Sequence, residues 1–279
     1  MQSRVYSSSQ DHSLGFNLKE AFKGYSEGFY LSTLFVRRGF TAKYKTSFIG
    51  YIWEIVPSIT TAIIWIFLRG VGAISTPDVD IPFPVFVIIG SLMWSVITES
   101  IGKPLSSFNE YSSILSKINI PKEAVLLIGF FNVLVNHAIK LILVLFLLII
   151  YKITPGISLL LFFPLLFMTI VFFMTLGVIL MPFEYMLSDL AKIRNYLLMA
   201  LMYLTPVVYS KPKSGILLTI MENNPLSQII NALRNTLVGL PVDNIGFFLV
   251  MICVTAVLFL VASVFYRITV PIIIQRIGS

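Results

Sequence analysis

The chain has 279 residues, of which 57% are hydrophobic and only 12% charged, and its mean hydropathy is +0.91. Soluble domains carry about twice that share of charge, so the composition is that of a membrane protein. The net charge of +7 comes from basic residues that flank apolar stretches, which points to anionic lipid headgroups rather than nucleic acid as the partner.

Residues Met1–Asn17 are polar and show no apolar core of a cleavable signal. From Leu18 an amphipathic pattern begins, with Leu18, Phe22, Tyr25 and Phe29 at spacings of three and four and Lys19, Glu20, Lys23 and Glu27 between them. Arg37, Arg38, Lys43 and Lys45 follow. Such a segment before an apolar span predicts an interfacial helix on the membrane surface, with a small soluble cap as the alternative.

Six stretches approach the roughly 20 apolar residues that a helix needs to cross hydrocarbon. They are Gly50–Leu68, Phe83–Ile101, Ala124–Ile150, Ile157–Met181, Tyr196–Tyr209 and Ile245–Tyr266. A polar stretch, Gly102–Glu123, separates the second and third, a TPG turn at 154–156 the third and fourth, and a charged loop, Pro182–Asn195, the fourth and fifth. The predicted architecture is all-α and polytopic. Residues 1–49 form a cytoplasmic N-terminus with the interface helix, and 50–279 form one transmembrane domain. Between spans five and six, ILLTIM at 216–221 is too short to cross. After Asn224 and Pro225, one helical face carries Leu226, Ile229, Ile230, Leu233 and Leu237. Two short helices broken there predict a re-entrant hairpin. With six crossings, 14 basic residues fall on the side of the termini and 5 on the other, so both termini are expected in the cytoplasm of a multi-pass inner-membrane protein.

The sequence lacks a GxxxxGK[ST] phosphate loop, and GKP at 102–104 is not one. Two histidines, His12 and His137, and the single Cys253 make no metal-ligand cluster. No catalytic residue, metal or cofactor is expected in this chain, so the energy for its work must come from an ion gradient or a partner.

Several polar and aromatic side chains lie inside the spans. Asn132, Asn136 and Lys140 repeat every four residues and share a helix face, with His137 beside them. Either they line a conduit, or they hydrogen-bond between helices while Lys140 snorkels outward. No acid is evident at matching depth, since Glu54 and Glu99 fall near the cytoplasmic ends of the first and second spans. Trp53, Trp65 and Trp94 suit interfacial belts or a sugar pathway. Tyr203 and Tyr209, with Pro206 between them, are candidates for an external gate.

Three segments carry a resemblance: KYKTSFIGYIWEIVPS at 43–58, DLAKIRNYLLMALMYLTPVVYS at 189–210 and NPLSQIINALR at 224–234. They are similar to the permease subunits of ABC-2 type exporters, especially those for O-antigen, capsule and teichoic acid, over about 31–276. The resemblance implies six spans with cytoplasmic termini, a homodimer, and a separate nucleotide-binding ATPase that holds ATP and magnesium. It implies docking of that ATPase on the N-terminal amphipathic helix and on 106–118, through Ser106, Ser107, Phe108, Asn109, Glu110, Tyr111, Ile114 and Leu115. Lys43 stands where the family often has arginine, which keeps charge but loses bidentate phosphate binding.

The expected activity is therefore export of a lipid-linked polysaccharide, its phosphate drawn to Arg37, Arg38, Lys43 and Lys45. Trp53, Trp65, Asn132, Asn136, Lys140, Tyr203 and Tyr209 are the expected channel-lining residues, and membrane lipids are a further partner. Export of a drug or small lipid is the alternative. A membrane-embedded lipid-phosphate transferase is disfavoured, because the cytoplasmic acids are scattered and form no metal-binding cluster.

Overall fold

A computed structural model describes residues 14–46, 50–72, 81–115, 117–118, 120–209 and 214–277, without the side chains of 43–46, 51, 276 and 277. The described chain is helical and contains no strand. In order it forms α1 (Leu14–Thr46), a 3-10 turn (Gly50–Glu54), α2 (Val56–Gly70), α3 (Phe83–Leu115), α4 (Glu123–Ile150), α5 (Leu159–Met186), α6 (Ser188–Tyr203), α7 (Ile216–Asn223), α8 (Pro225–Val238) and α9 (Ile245–Ile277). Among the described residues, α3, α4, α5 and α9 are long and apolar enough to cross a membrane. The 15-residue α2 is apolar but shorter.

The elements begin and end where local chemistry requires it. Asn224 caps α8, its Oδ1 accepting from the Leu226 amide at 2.9 Å, with Pro225 at the first helical position. Gly239 ends α8 in the left-handed region at φ 85°. Against Gly239 sits the 154–156 turn: a Cβ there would come within 3.0 Å of the Thr154 carbonyl and the Gly156 amide.

Three boundaries differ from the sequence expectation. The polar stretch after span two is helical, because α3 continues unbroken to Leu115. The charged loop at 182–195 does not exist as a loop: α5 runs through Pro182 to Met186 and α6 starts at Ser188. Only Leu187, extended at φ −130° and ψ 93°, separates the two. The sixth apolar helix likewise runs past Tyr266 to Ile277. In each case the helix continues past the apolar run into charged residues, because helices that leave a bilayer keep their hydrogen bonds in water.

The central helix is α3, the least apolar of the four spans and the most buried. The two facts share one cause. A helix covered by protein tolerates serine, threonine and glutamate, whereas lipid-facing α9, the most apolar, cannot. α3 packs on α4 and α5. Its approach to α5 is close: a Cβ on Gly177 would overlap the Ile101 carbonyl oxygen.

α1 is not a separate cap. It lies across the N-terminal end of α4 and along α9, and starts at Leu14, within the polar stretch that precedes the amphipathic pattern. Its protein-facing side is a stripe of small residues, with Ala21, Gly24, Gly28 and Ser32 buried. Phe22 and Phe29, at 53% and 54% exposure, leave their aromatic surface on the outside. The helix thus turns a stripe of small residues to the protein and a second, aromatic one outward.

Candidate functional site

The residues that join the helices fall into three polar groups. The first lies where α1, α4 and α9 meet. Arg267 Nη1 donates to the Glu20 carbonyl at 3.0 Å and to Glu123 Oε1 at 2.7 Å. Its Nη2 donates to Glu20 Oε2 at 3.1 Å. Glu123 opens α4, where the helix dipole favours a carboxylate. Gly24 makes room for it, since a Cβ there would overlap the Glu123 carboxylate. Tyr266 donates to the Lys122 carbonyl at 3.1 Å, and the hydroxyls of Tyr25 and Ser263 lie 3.2 Å apart. Burial pushes the Tyr25 phenol up to about 12. Burial, then the Arg267 charge, holds Lys122 below its usual value, partly offset by Glu123. One guanidinium thus fastens α1 to the start of α4 and to the C-terminal third of α9.

The expected docking residues lie nearby, on the last turns of α3. Ser106, Asn109 and Glu110 are exposed, while Ser107, Phe108 and Leu115 are buried and Tyr111 and Ile114 half-buried. Phe108 meets Tyr185 edge-on at 5.2 Å and Tyr111 meets Phe35 of α1 at 5.4 Å. Arg37 and Arg38 are exposed on α1. Lys43 and Lys45 fall in its last turn, their side chains outside the described residues.

The second group lies between α3 and α4. Lys140 is 3% exposed, so it does not snorkel. It pairs with Glu99 and donates to Ser95 Oγ at 3.1 Å. His137 Nδ1 sits 2.8 Å from the Val133 carbonyl and so carries the proton. The expectation that no acid matches Lys140 in depth is corrected: α3 extends 16 residues beyond Glu99, which places that carboxylate mid-helix. Asn132 and Asn136 are half-buried on α4. Trp94 is buried at 6% exposure, not in a belt.

The third group holds the turn after α6. Arg234 is 3% exposed. Its Nη2 donates to the carbonyls of Pro206 and Val207 at 2.9 and 2.8 Å, and its Nη1 to Asn231 Oδ1 at 3.2 Å. The guanidinium carbon stands 3.7 Å from the Phe86 ring centroid. None of these partners is a carboxylate. Asn224 adds bonds to the Leu204 carbonyl and Thr205 Oγ1 at 3.0 and 3.1 Å. Tyr209 donates to the Tyr203 carbonyl, and its ring faces Trp65 at 6.1 Å. Trp65, Tyr203 and Tyr209 therefore come together, whereas Trp53, 61% exposed, stands apart in the 3-10 turn.

Sequence reasoning missed Arg234, Arg267 and Glu123, and placed Glu99 at the wrong depth. Arg234 carried a readable signal, because it adjoins Leu233 and Leu237 on the apolar side of α8. The Arg267 partners lie at positions 20 and 123, and no local pattern connects them.

Among the described residues, these groups organise a helical membrane subunit whose polar interior joins helices to one another. The family model for "ABC-2 type transporter" matches residues 31–238, and the chain belongs to that family. Curated relatives include the O-antigen export system permease protein RfbA of Klebsiella pneumoniae, 23% identical over 210 residues, spanning 74% of this chain and 80% of the relative. The protein of the same name from Myxococcus xanthus is 27% identical over 175 residues, spanning 62% of this chain and 66% of the relative.

Proposed function

We propose that this chain is the membrane-spanning permease of an ATP-driven exporter that carries a lipid-linked, O-antigen-like polysaccharide from the cytoplasmic side across the inner membrane. The observation that carries this reading is the family match together with the names of the relatives. The absence of a phosphate loop from the sequence agrees with ATP and magnesium being bound by a separate ATPase subunit.

In this reading six helices cross: α2, α3, α4, α5, α6 and α9, with both termini in the cytoplasm. Residues 1–49 are the surface segment and 50–279 the transmembrane domain. α2 and α6, of 15 and 16 residues, are about 22 and 24 Å long. The 3-10 turn and the 204–209 turn extend them toward the roughly 30 Å of hydrocarbon. α7 and α8 form the re-entrant hairpin. The burial of Arg234 against Phe86, inside the first turn of α3, supports that depth.

Two copies pair through α2 and α6, whose apolar faces are uncovered: Ile63 and Phe67 on one, Tyr196 and Met199 on the other. The glycan passes between the copies, near Trp65, Tyr203 and Tyr209. Its phosphate gathers at the basic end of α1, each cation there worth about 1 kcal/mol against anionic headgroups. The ATPase docks on the exposed Ser106, Asn109 and Glu110. Its closure moves the end of α3 and, through α1 and Arg267, the ends of α4 and α9.

The test is deletion of the gene followed by analysis of surface glycan, with the wild-type chain and Glu110→Lys supplied in trans. Loss of surface polysaccharide, accumulation of its lipid-linked form inside, and rescue by the wild type alone are expected. Unchanged glycan after deletion, or full export with a catalytically dead ATPase, would overturn the proposal.

A further inference from the structure

Beneath α1 lies a cavity of about 300 Å³. Phe22 and Tyr25 of α1 form its roof, and Phe130 of α4, Val171 and Met174 of α5 and Phe259 of α9 are among its walls. The walls belong to three of the four helices long and apolar enough to span a membrane. At the far end stands Phe167, 54% exposed, so the cavity opens toward the hydrocarbon beside α4 and α5.

Three observations fix the chemistry of its occupant. First, the few hydroxyls in the lining are already engaged. Tyr25 and Ser263 bond each other, Ser263 also donates to the Phe259 carbonyl at 2.7 Å, and Thr175 donates to the Val171 carbonyl at 2.7 Å. No polar group there is left to recognise a polar ligand, and an empty apolar space of this size forfeits the contacts of its whole lining. Second, an exposed apolar ring, Phe167, stands at its mouth, a surface suited to acyl chains rather than to water. Third, the roof presents two exposed cations: Lys19 and Lys23 stand three positions before Phe22 and one after it, while Glu20 between them is paired with Arg267. Among the described residues, Lys23 has one ion-pair partner, Glu27 at 3.7 Å.

We propose that this cavity binds one acyl chain of a resident anionic phospholipid, drawn from the leaflet in which α1 lies, with its phosphate against Lys19 and Lys23. The lipid completes the packing between α1 and α5, which no side chain fills. The site is separate from the glycan pathway between subunits and does not depend on the identity of the cargo.

The experiment uses the full-length chain in nanodiscs containing a phosphatidylglycerol with a photoreactive diazirine on one acyl chain. Crosslinked residues are mapped by mass spectrometry. Labelling concentrated on Val171, Phe130 and Phe259 is expected. Val171→Trp, which fills the cavity from its half-buried wall, should abolish that labelling, while Val250→Trp on the open face of α9 should not. Replacing both Lys19 and Lys23 by Gln should lower the preference for phosphatidylglycerol over phosphatidylcholine by about fivefold for each charge removed. Labelling spread evenly over the lipid-facing residues would mean ordinary annular lipid and would overturn the proposal. So would labelling that Val171→Trp leaves in place, or labelling of the cavity by the lipid-linked glycan alone.

Discussion

Replacing Arg267 with Met should destabilise the protein by about 3 kcal/mol. The figure follows from two contacts and the dipole of α4. Glu123 is almost fully buried and would be left as an unpaired carboxylate, a loss of about 3–5 kcal/mol when one partner of a buried pair is removed. Arg267 itself is a quarter exposed, so water reaches the gap and the low end applies. The bond to the Glu20 carbonyl adds about 1 kcal/mol, and the dipole of α4 returns about as much to Glu123. The double variant Arg267→Met, Glu123→Gln removes the stranded charge and should lose only about 1 kcal/mol, about 2 kcal/mol less than Arg267→Met alone. Unfolding in mixed micelles of increasing SDS, followed by far-ultraviolet circular dichroism, measures all of these. Lys192→Ala, which breaks an exposed pair on α6, serves as control at under about 0.5 kcal/mol. If Arg267→Met matched that control, or the double variant were less stable than Arg267→Met, the account of the α1 junction would fail.

The pair inside the bundle should respond asymmetrically. Glu99→Gln strands the buried Lys140 ammonium and should cost about 3 kcal/mol, whereas Lys140→Met leaves a carboxylate 28% exposed and should cost about 1 kcal/mol; the reverse order in the same SDS titration would refute the burial argument. Gly177→Ala forces a methyl onto the Ile101 carbonyl and should lose about 2 kcal/mol, while Gly102→Ala, whose added methyl would meet only Arg194 at 3.6 Å, should lose under about 0.5 kcal/mol; equal losses would disprove the close contact of α3 and α5. In Arg234→Lys one ammonium cannot hold two carbonyls and also cover Phe86. With Cys253 replaced by Ala, a cysteine at the buried position 208 should then react with maleimide at least about tenfold faster than beside Arg234; unchanged labelling would show that the clamp is not needed.

The helices were legible because lipid demands long apolar runs, and five of the six expected spans have a described helix within a few residues of their expected start. The first and fifth spans were the hardest to bound. α2 is short, and α6 begins in the charged segment that reads as loop, its Asp189, Lys192 and Arg194 hiding a continuous helix. Composition separates lipid from water, but it does not separate helix from loop once a segment has left the bilayer. The polar groups were only half legible. Lys140 announces itself by its cost in hydrocarbon, yet its partner does not, because depth depends on where α3 ends. The small-residue stripe of Ala21, Gly24, Gly28 and Ser32 was hidden by the aromatic pattern running beside it on the same helix.

The junction at Leu187 leaves α6 no slack. This helix of 16 residues is joined to α5 by one extended residue and braced by the 2.6 Å contact of Arg194 with Glu184. Along its own length only Leu198 is buried. It therefore pivots at Leu187 as a lever with an arm of about 24 Å, its far end tied to α8 through the Asn224 and Arg234 bonds to residues 204–207. A rotation of about 10° in the torsions of that one residue would carry Tyr203 through roughly 4 Å, farther than the length of any hydrogen bond it makes. Small displacements at the end of α5 become large ones at the far end of α6, where α8 must follow, and the helix itself stays intact.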